Sequence, residues 1–171
     1  LDGVIEHPET WHFDYFNDEM GAVVGEQMGK AEATLLGRNT YEAFAGYWPS
    51  ADPQDPITAQ MNGARKYVVS NTLTEATWEN SSVISGDVAA ELTALKQDTR
   101  LGTTGSATLV QWMLEQGLVD ELHLLVHPVV VGTGKKLFDD GAKVPLDLVS
   151  CTTFKTGVLH LVYRPAASAG E

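Results

Sequence analysis

Apolar residues recur at helical spacing from about Asp18 to Ala31, at Met20, Val23, Val24 and Met28, with Asn17 or Asp18 placed to cap. The pattern predicts an amphipathic helix. Thr34-Leu35-Leu36 is a short apolar run ended by Gly37, and Arg38 to Gly46 resumes helical spacing through Tyr41, Phe44 and Ala45. A strand running directly into a helix is expected. Pro49 to Pro56 holds three prolines and two aspartates and reads as a loop, whereas Lys66 to Ser70 reads as a buried strand. Val83-Ile84-Ser85 is a further strand, and Asp87 caps a helix through Lys96. Leu101 to Thr104 then leads across Gly105 into a helix from Ala107 to Gln116, stopped by Gly117. Glu121 to Val131 is strand-like, and Leu146 to Phe154 and Val158 to Tyr163 flank Lys155-Thr156-Gly157 as a terminal hairpin.

Alternating strand and helix patterns closed by antiparallel strands imply an α/β fold: a mixed, mostly parallel central sheet flanked by helices, with a C-terminal antiparallel hairpin. Ligands of such folds gather at the carboxyl ends of the strands. No repeat or linker divides residues 1–171, so a single domain is expected. The opening Leu1-Asp2-Gly3-Val4 reads as the turn after a strand, which places a first strand before residue 1.

Charge narrows the partners. Eleven Lys and Arg against 23 Asp and Glu give a formal net charge of -12, which repels nucleic-acid backbones and anionic lipid surfaces. No nucleic acid and no membrane are expected as partners, and an anionic ligand would need a local device to hold it. The longest apolar run, Leu122 to Val131, is broken by His123, His127 and Pro128 and falls short of the roughly 20 residues that span a bilayer. The start carries neither the basic region nor the apolar stretch of a signal peptide, and the single cysteine, Cys151, has no partner for a disulfide. An intracellular, cytoplasmic location is the simplest expectation.

Three places put a glycine or hydroxyl residue at the end of an apolar strand. At Gly37-Arg38-Asn39-Thr40 the glycine lets a ligand approach, Arg38 is a forked cationic donor, and Thr40 adds a hydroxyl in the first helical turn. The plainer reading is a strand terminator beside a solvated arginine. Thr104-Gly105-Ser106-Ala107-Thr108 precedes the apolar helix face Leu109, Trp112 and Met113, and suits either a pyrophosphate or an ordinary hydroxyl cap. Ser70-Asn71 is the weakest, since turn residues commonly follow strands.

Other motifs fail. Val131-Gly132-Thr133-Gly134-Lys135-Lys136-Leu137 lacks the third glycine of a dinucleotide fingerprint, and Lys136 stands where a P-loop needs Ser or Thr. No nucleophile elbow occurs. His123 and His127, four apart on a strand, lie about 13 Å from each other at ~3.3 Å per residue, so no shared metal is expected and both read as satisfied structural histidines. His7 and His12 specify no site. Trp11, Phe13, Tyr15 and Phe16 read as packing for the first helix, with the lining of a planar ligand's pocket as the alternative.

Taken in order, Leu1-Asp2-Gly3-Val4-Ile5, Leu36-Gly37-Arg38-Asn39-Thr40-Tyr41-Glu42, Lys66-Tyr67-Val68-Val69-Ser70-Asn71-Thr72-Leu73, Gly105-Ser106-Ala107-Thr108-Leu109-Val110, Gly117-Leu118-Val119-Asp120-Glu121-Leu122 and His127-Pro128-Val129-Val130-Val131-Gly132-Thr133-Gly134 resemble a known family. It comprises the dihydrofolate-reductase-like proteins related to the C-terminal reductase domain of the bifunctional riboflavin-biosynthesis deaminase-reductase. The resemblance implies NADPH as cofactor: Gly37, Arg38 and Thr40 at a phosphate, Ser70 and Asn71 at the adenosine end, and Gly105, Ser106, Ala107, Thr108 and Leu109 at the pyrophosphate. Asn71 stands where similar chains carry a basic residue, which leaves NADH open. Asp2 becomes the candidate catalytic residue on the substrate side, joined by Trp48 and by Thr104, which stands where riboflavin-pathway reductases carry an acidic residue. The implied function is NADPH-dependent reduction of a small planar heterocycle, a pterin or aminopyrimidine. The alternative is a non-catalytic nucleotide or small-ligand-binding protein retaining the fold. Separately from the resemblance, the terminal hairpin, Leu146 to Tyr163, reads as able to pair across a symmetric interface, so a homodimer is expected with either function, and a homodimeric scaffold is a third reading.

Overall fold

The computed structural model describes residues 1–138 and 141–167. They fall into two compact units, Glu26–Val110, and Leu1–Gly25 together with Gln111–Glu171.

The first of these units is contiguous and built on a parallel sheet. Its strands are β1 (Ala33–Gly37), β2 (Arg65–Val69), β3 (Ser81–Ile84) and β4 (Leu101–Thr103), in spatial order β3-β2-β1-β4. Parallel neighbours require crossovers, and the helices α2 (Arg38–Tyr47), α3 (Pro56–Gly63) and α4 (Val88–Asp98) lie within them. Register sets Gly37 beside Val69 and Leu35 beside Thr103, so the carboxyl ends of β2, β1 and β4 are neighbours. Leu36, Tyr41, Met61, Val68 and Trp78 form the core, and within it the Trp78 backbone N–H donates to the Tyr41 hydroxyl at 2.9 Å.

Lys66 is buried in the same region, 1% exposed. Its Nζ donates to the carbonyls of Asn62, Ala64 and Glu79 at 3.0, 2.7 and 3.0 Å and lies 4.1 Å from the Trp78 ring centroid. Burial pulls the ammonium down to about 8, opposed by Glu79.

The loop expected over Pro49 to Pro56 gives way at its last residue to helix α3, which the sequence pattern did not announce. The Asp55 carboxylate accepts from the Thr58 N–H at 3.0 Å, and Pro56 occupies the first turn, where a missing N–H costs nothing. The prolines that suggested an unbroken loop include the one that starts this helix.

The other unit holds β5 (Leu122–Val126), β6 (Leu146–Thr153) and β7 (Leu159–Pro165), antiparallel in order β5-β7-β6. The α/β class and the antiparallel hairpin are thus as the sequence predicts, and the antiparallel strands form a sheet of their own with β5. Strand β5 stops at Val126 rather than Val131, because the His127 side chain bonds the Leu125 carbonyl and Pro128 has no N–H to extend a ladder. Met20, Phe154 and Val158 form this unit's core, packed by Tyr15, Val23, Val24 and Leu125. Residues 1–6 run along the Gly132 to Leu137 segment: Val4 bridges Lys136, the Ile5 N–H donates to the Lys135 carbonyl, and the Leu137 N–H donates to that of Gly3. Two further helices, α1 (Asp18–Lys30) and α5 (Ala107–Glu115), each carry the boundary between units inside them.

Candidate functional site

All three strand-end segments lie in the Glu26–Val110 unit and follow three neighbouring strands at one edge of the parallel sheet. Their residues divide into a scaffold, buried at Ser70 and Ser106 and half-buried at Gly37, and an exposed face.

The scaffold is Gly37, Ser70 and Ser106. The Gly37 N–H donates to Ser106 Oγ at 3.0 Å, the Ser106 N–H donates to Thr40 Oγ1 at 3.0 Å, and Ser106 Oγ donates to the Thr104 carbonyl at 3.3 Å. Two loops distant in sequence are thus stitched together. The turn that permits this is left-handed at two consecutive residues, Gly105 with φ 60° and Ser106 with φ 49°. Glycine is needed at the first for a second reason, since a Cβ there would lie 3.3 Å from Thr40 Cγ2. Ser106 therefore does more than the hydroxyl cap of the plainer reading: its side chain serves the neighbouring strand while its carbonyl accepts the Val110 N–H that starts α5. Ser70, also buried, accepts through Oγ from the N–H groups of Thr72 and Leu73 at 3.2 and 3.0 Å, shaping the turn that carries Asn71. Ala107 and Leu109 are buried on α5.

The exposed face is Arg38, Asn71, Thr104, Gly105 and Thr108, with Thr40 half-buried. Arg38 is tethered only loosely, its Nε 3.9 Å from Glu42 Oε1. Helix α2 begins at Arg38 with Gly37 in the cap position, and no side chain caps it. Its first N–H groups and the guanidinium make a local positive device on a chain of net charge -12.

The remaining candidates lie elsewhere. Asp2 belongs to the other unit, where its Oδ2 accepts from the Gly132 N–H at 2.7 Å, and that bond holds the carboxyl below its ordinary range. A carboxylate held ionised in this way does not donate a proton, and the bond that lowers it also weakens it as a base. Trp48 is half-buried, its ring packed on Phe44 and Tyr47 at 6.4 and 5.0 Å between centroids, and its carbonyl accepts from Asn62 Nδ2. The structure gives it a packing role in the core cluster.

His123 on β5 and His127 just past its end both have partners: His123 Nδ1 lies 3.1 Å from His160 Nε2, and His127 Nε2 lies 3.0 Å from His12 Nδ1. The second pair was invisible in sequence, because its members stand 115 residues apart and neither has a motif around it. Among the described residues no group of three His, Cys, Asp or Glu is arranged to hold a metal ion. Nor, among them, is any helix long and apolar enough to cross a membrane.

The family model described as the RibD C-terminal domain matches residues 1–160. The uncharacterized protein YyaP of Bacillus subtilis (strain 168) is 31% identical over 173 residues, covering 96% of this chain and 89% of its own. Among solved structures, a Shewanella sp. PV-4 protein described as a riboflavin biosynthesis protein superposes with a TM-score of 0.78 at 20% identity, covering 98% of this chain and 94% of that one. RibD of Acinetobacter baumannii gives 0.67 at 16% identity over 98% of this chain and 56% of its own. At those identities the structural likenesses speak for the fold alone.

Proposed function

The chain belongs to the RibD C-terminal domain family, a family of reductase domains, and on that basis we propose that it is an NADPH-dependent reductase of a small planar heterocycle, a pterin or aminopyrimidine. The observation that carries the reading is the convergence of Arg38, Thr40, Asn71 and Thr108 on one edge of a parallel sheet, at the ends of three adjacent strands. That edge is where an extended dinucleotide is held in open α/β sheets, and its donors suit the cofactor's charge. Arg38 and the first turn of α2 would hold a phosphate, Thr108 and the first turn of α5 the pyrophosphate, and Asn71 the adenosine end. Gly37, Ser70 and Ser106 keep those donors in register. The cofactor, when bound, supplies a hydride; the chain's task is then positioning and exclusion of water. Asn71 offers hydrogen bonds but no charge to a 2′-phosphate, so discrimination between NADPH and NADH rests mainly on Arg38.

Tryptophan quenching during titration with NADPH and with NADH tests this. Saturable quenching is expected, weakened by Arg38→Ala and by Thr108→Asp, which sets a carboxylate on the exposed face of α5's first turn. No saturable quenching by either nucleotide would end the reductase reading, and binding unchanged in both variants would remove the site from these strand ends. We further propose that the protein acts in the cytoplasm as a homodimer joined at β6, one of the two edge strands of its sheet, whose Leu148 and Val149 are exposed. Light scattering on the eluted protein distinguishes dimer from monomer.

A further inference from the structure

The connection from β2 to β3, residues 71–80, is neither helix nor strand. It carries Asn71 at one end and Trp78 near the other, so whatever fixes its path also fixes Asn71. Side chains do this. Ser70 Oγ shapes the start through the Thr72 and Leu73 N–H groups, and Leu73 and Ala76 pack against the core cluster. The far end gathers on Trp78, which is buried. Its indole Nε1 donates to Asn62 Oδ1 on α3 at 2.8 Å, and its ring lies 4.1 Å from Lys66 Nζ on β2, the ammonium that also holds the Glu79 carbonyl.

One bond joins this connection to a second arm of the site. The Trp78 N–H donates to Tyr41 Oη at 2.9 Å, and Tyr41 lies on α2 three residues after Arg38, within one helical turn of it. The helix that presents Arg38 and the segment that presents Asn71 are thereby tied, phenol to backbone, inside the core. Hydrogen bonds are directional, so this one sets orientation as well as distance. Register supplies the other tie. Gly37 and Val69 are partners in the sheet, so Arg38 and Asn71 set out from adjacent strand ends. The sheet determines where both arms begin, and the Tyr41 bond holds α2 against the connection beyond. Packing at position 41 needs the ring alone, which is tilted against Trp78 with centroids 6.2 Å apart; the hydroxyl serves the connection.

We propose that Tyr41 is a positioning residue for the dinucleotide: its hydroxyl couples the Arg38 turn to the Asn71 segment, so that one extended cofactor meets both arms in register. The inference rests on the reductase reading above. Donors already in place cost a ligand less ordering on binding than donors that move independently. The consequence is an energetic coupling between Arg38 and Asn71 that runs through Tyr41. Independent sites contribute additively to a free energy, whereas sites joined through a shared backbone shift do not. Losing either arm forfeits the benefit of their common register, and losing the second arm then forfeits nothing further of it.

The experiment measures NADPH affinity by calorimetry for the wild type, Arg38→Ala, Asn71→Ala and the double variant, then repeats the set in Tyr41→Phe, all well below its melting temperature. With Tyr41 present, the double variant should lose several-fold less affinity than the product of the two single losses. Tyr41→Phe should bind NADPH about tenfold more weakly, and in that background the two losses should multiply. A tyrosine that only fills the core would lower affinity and leave the relation between the two losses as it was. A second readout needs no variant: in 15N-labelled wild-type protein, NADPH should shift the Trp78 N–H resonance and slow its hydrogen exchange. If the wild-type losses already multiply, if their coupling persists in Tyr41→Phe, or if NADPH binds without altering the Trp78 N–H, the proposal is overturned while the reductase reading stands. Absence of NADPH binding in the wild type overturns the reductase reading itself.

Discussion

Replacing Ser106 with alanine removes the hydroxyl that accepts from the Gly37 N–H and donates to the Thr104 carbonyl, both at the edge where β1 and β4 end. Ser106 is 9% exposed, so water does not readily replace the lost oxygen, and an N–H left without a partner in such a place costs about 1–3 kcal/mol. For a domain of this length that is a fall in melting temperature of about 3–10 °C. The backbone term can be separated from the hydrogen-bond term. Ser106 is left-handed, φ 49°, a conformation costing about 1–2 kcal/mol for a residue with a Cβ but little for glycine. The alanine variant keeps that strain and Ser106→Gly relieves it, so the glycine variant should be the more stable of the two by about 1 kcal/mol. Both should weaken NADPH binding, because the stitch that aligns the α2 and α5 segments is cut in each. Thermal and urea unfolding followed by circular dichroism, with unchanged m-values, give the comparison. A Ser106→Ala protein with the wild-type melting temperature would refute the stitch.

Arg38→Ala should leave stability within about 0.5 kcal/mol, since its exposed contact with Glu42 at 3.9 Å is worth little, while lowering NADPH affinity about tenfold; a stability loss without an affinity loss would reverse that assignment. Tyr41→Phe strands the buried Trp78 N–H and should cost about 1–3 kcal/mol by urea unfolding. Lys66→Met leaves three carbonyls without their donor and should destabilise by about 2–4 kcal/mol at pH 7. Lys66 also predicts a pH dependence. Its folded value of about 8 lies below the ordinary 10.5, so the unfolded chain binds the proton more tightly between them and stability rises with pH across that window. The rise is at most about 3 kcal/mol, is reduced by the carbonyls that favour the ammonium, and is flat below 8; it should vanish in Lys66→Met.

The parallel half of the fold was legible because its signals are local. Leu35-Leu36-Gly37 before a helical pattern and Asp87 as a cap whose carboxylate accepts from the Ala90 N–H each announce their element within a few residues. Helix α3 was hidden although its signals were equally local, because Asp55-Pro56 was weighed as the end of a proline-rich loop rather than as a cap and a first turn. What no local pattern carries is pairing across distance. That Ser106 serves Gly37, 69 residues away, and His12 serves His127 follows only once the sheets are assembled. The strand-end segments could therefore be named from sequence, but not which of their residues face outward and which are spent as scaffold.

The discontinuity of one unit bears on how the chain is made. Residues up to Gly25 pack with a stretch that starts at Gln111, and Asp2 and Glu6 bond the Gly132 and Lys135 N–H groups. At synthesis rates of about 5–20 residues per second, roughly 6–26 s separate the emergence of residues 1–6 from that of their partners. The contiguous Glu26–Val110 stretch is complete earlier, so its parallel sheet can form while Met20, Trp11 and Tyr15 still lack the strands that will cover them. A nascent chain stalled between about residues 110 and 160 would expose the apolar segment around Trp11, Tyr15 and Met20 to chaperones, so residues made before the parallel sheet are covered only after it.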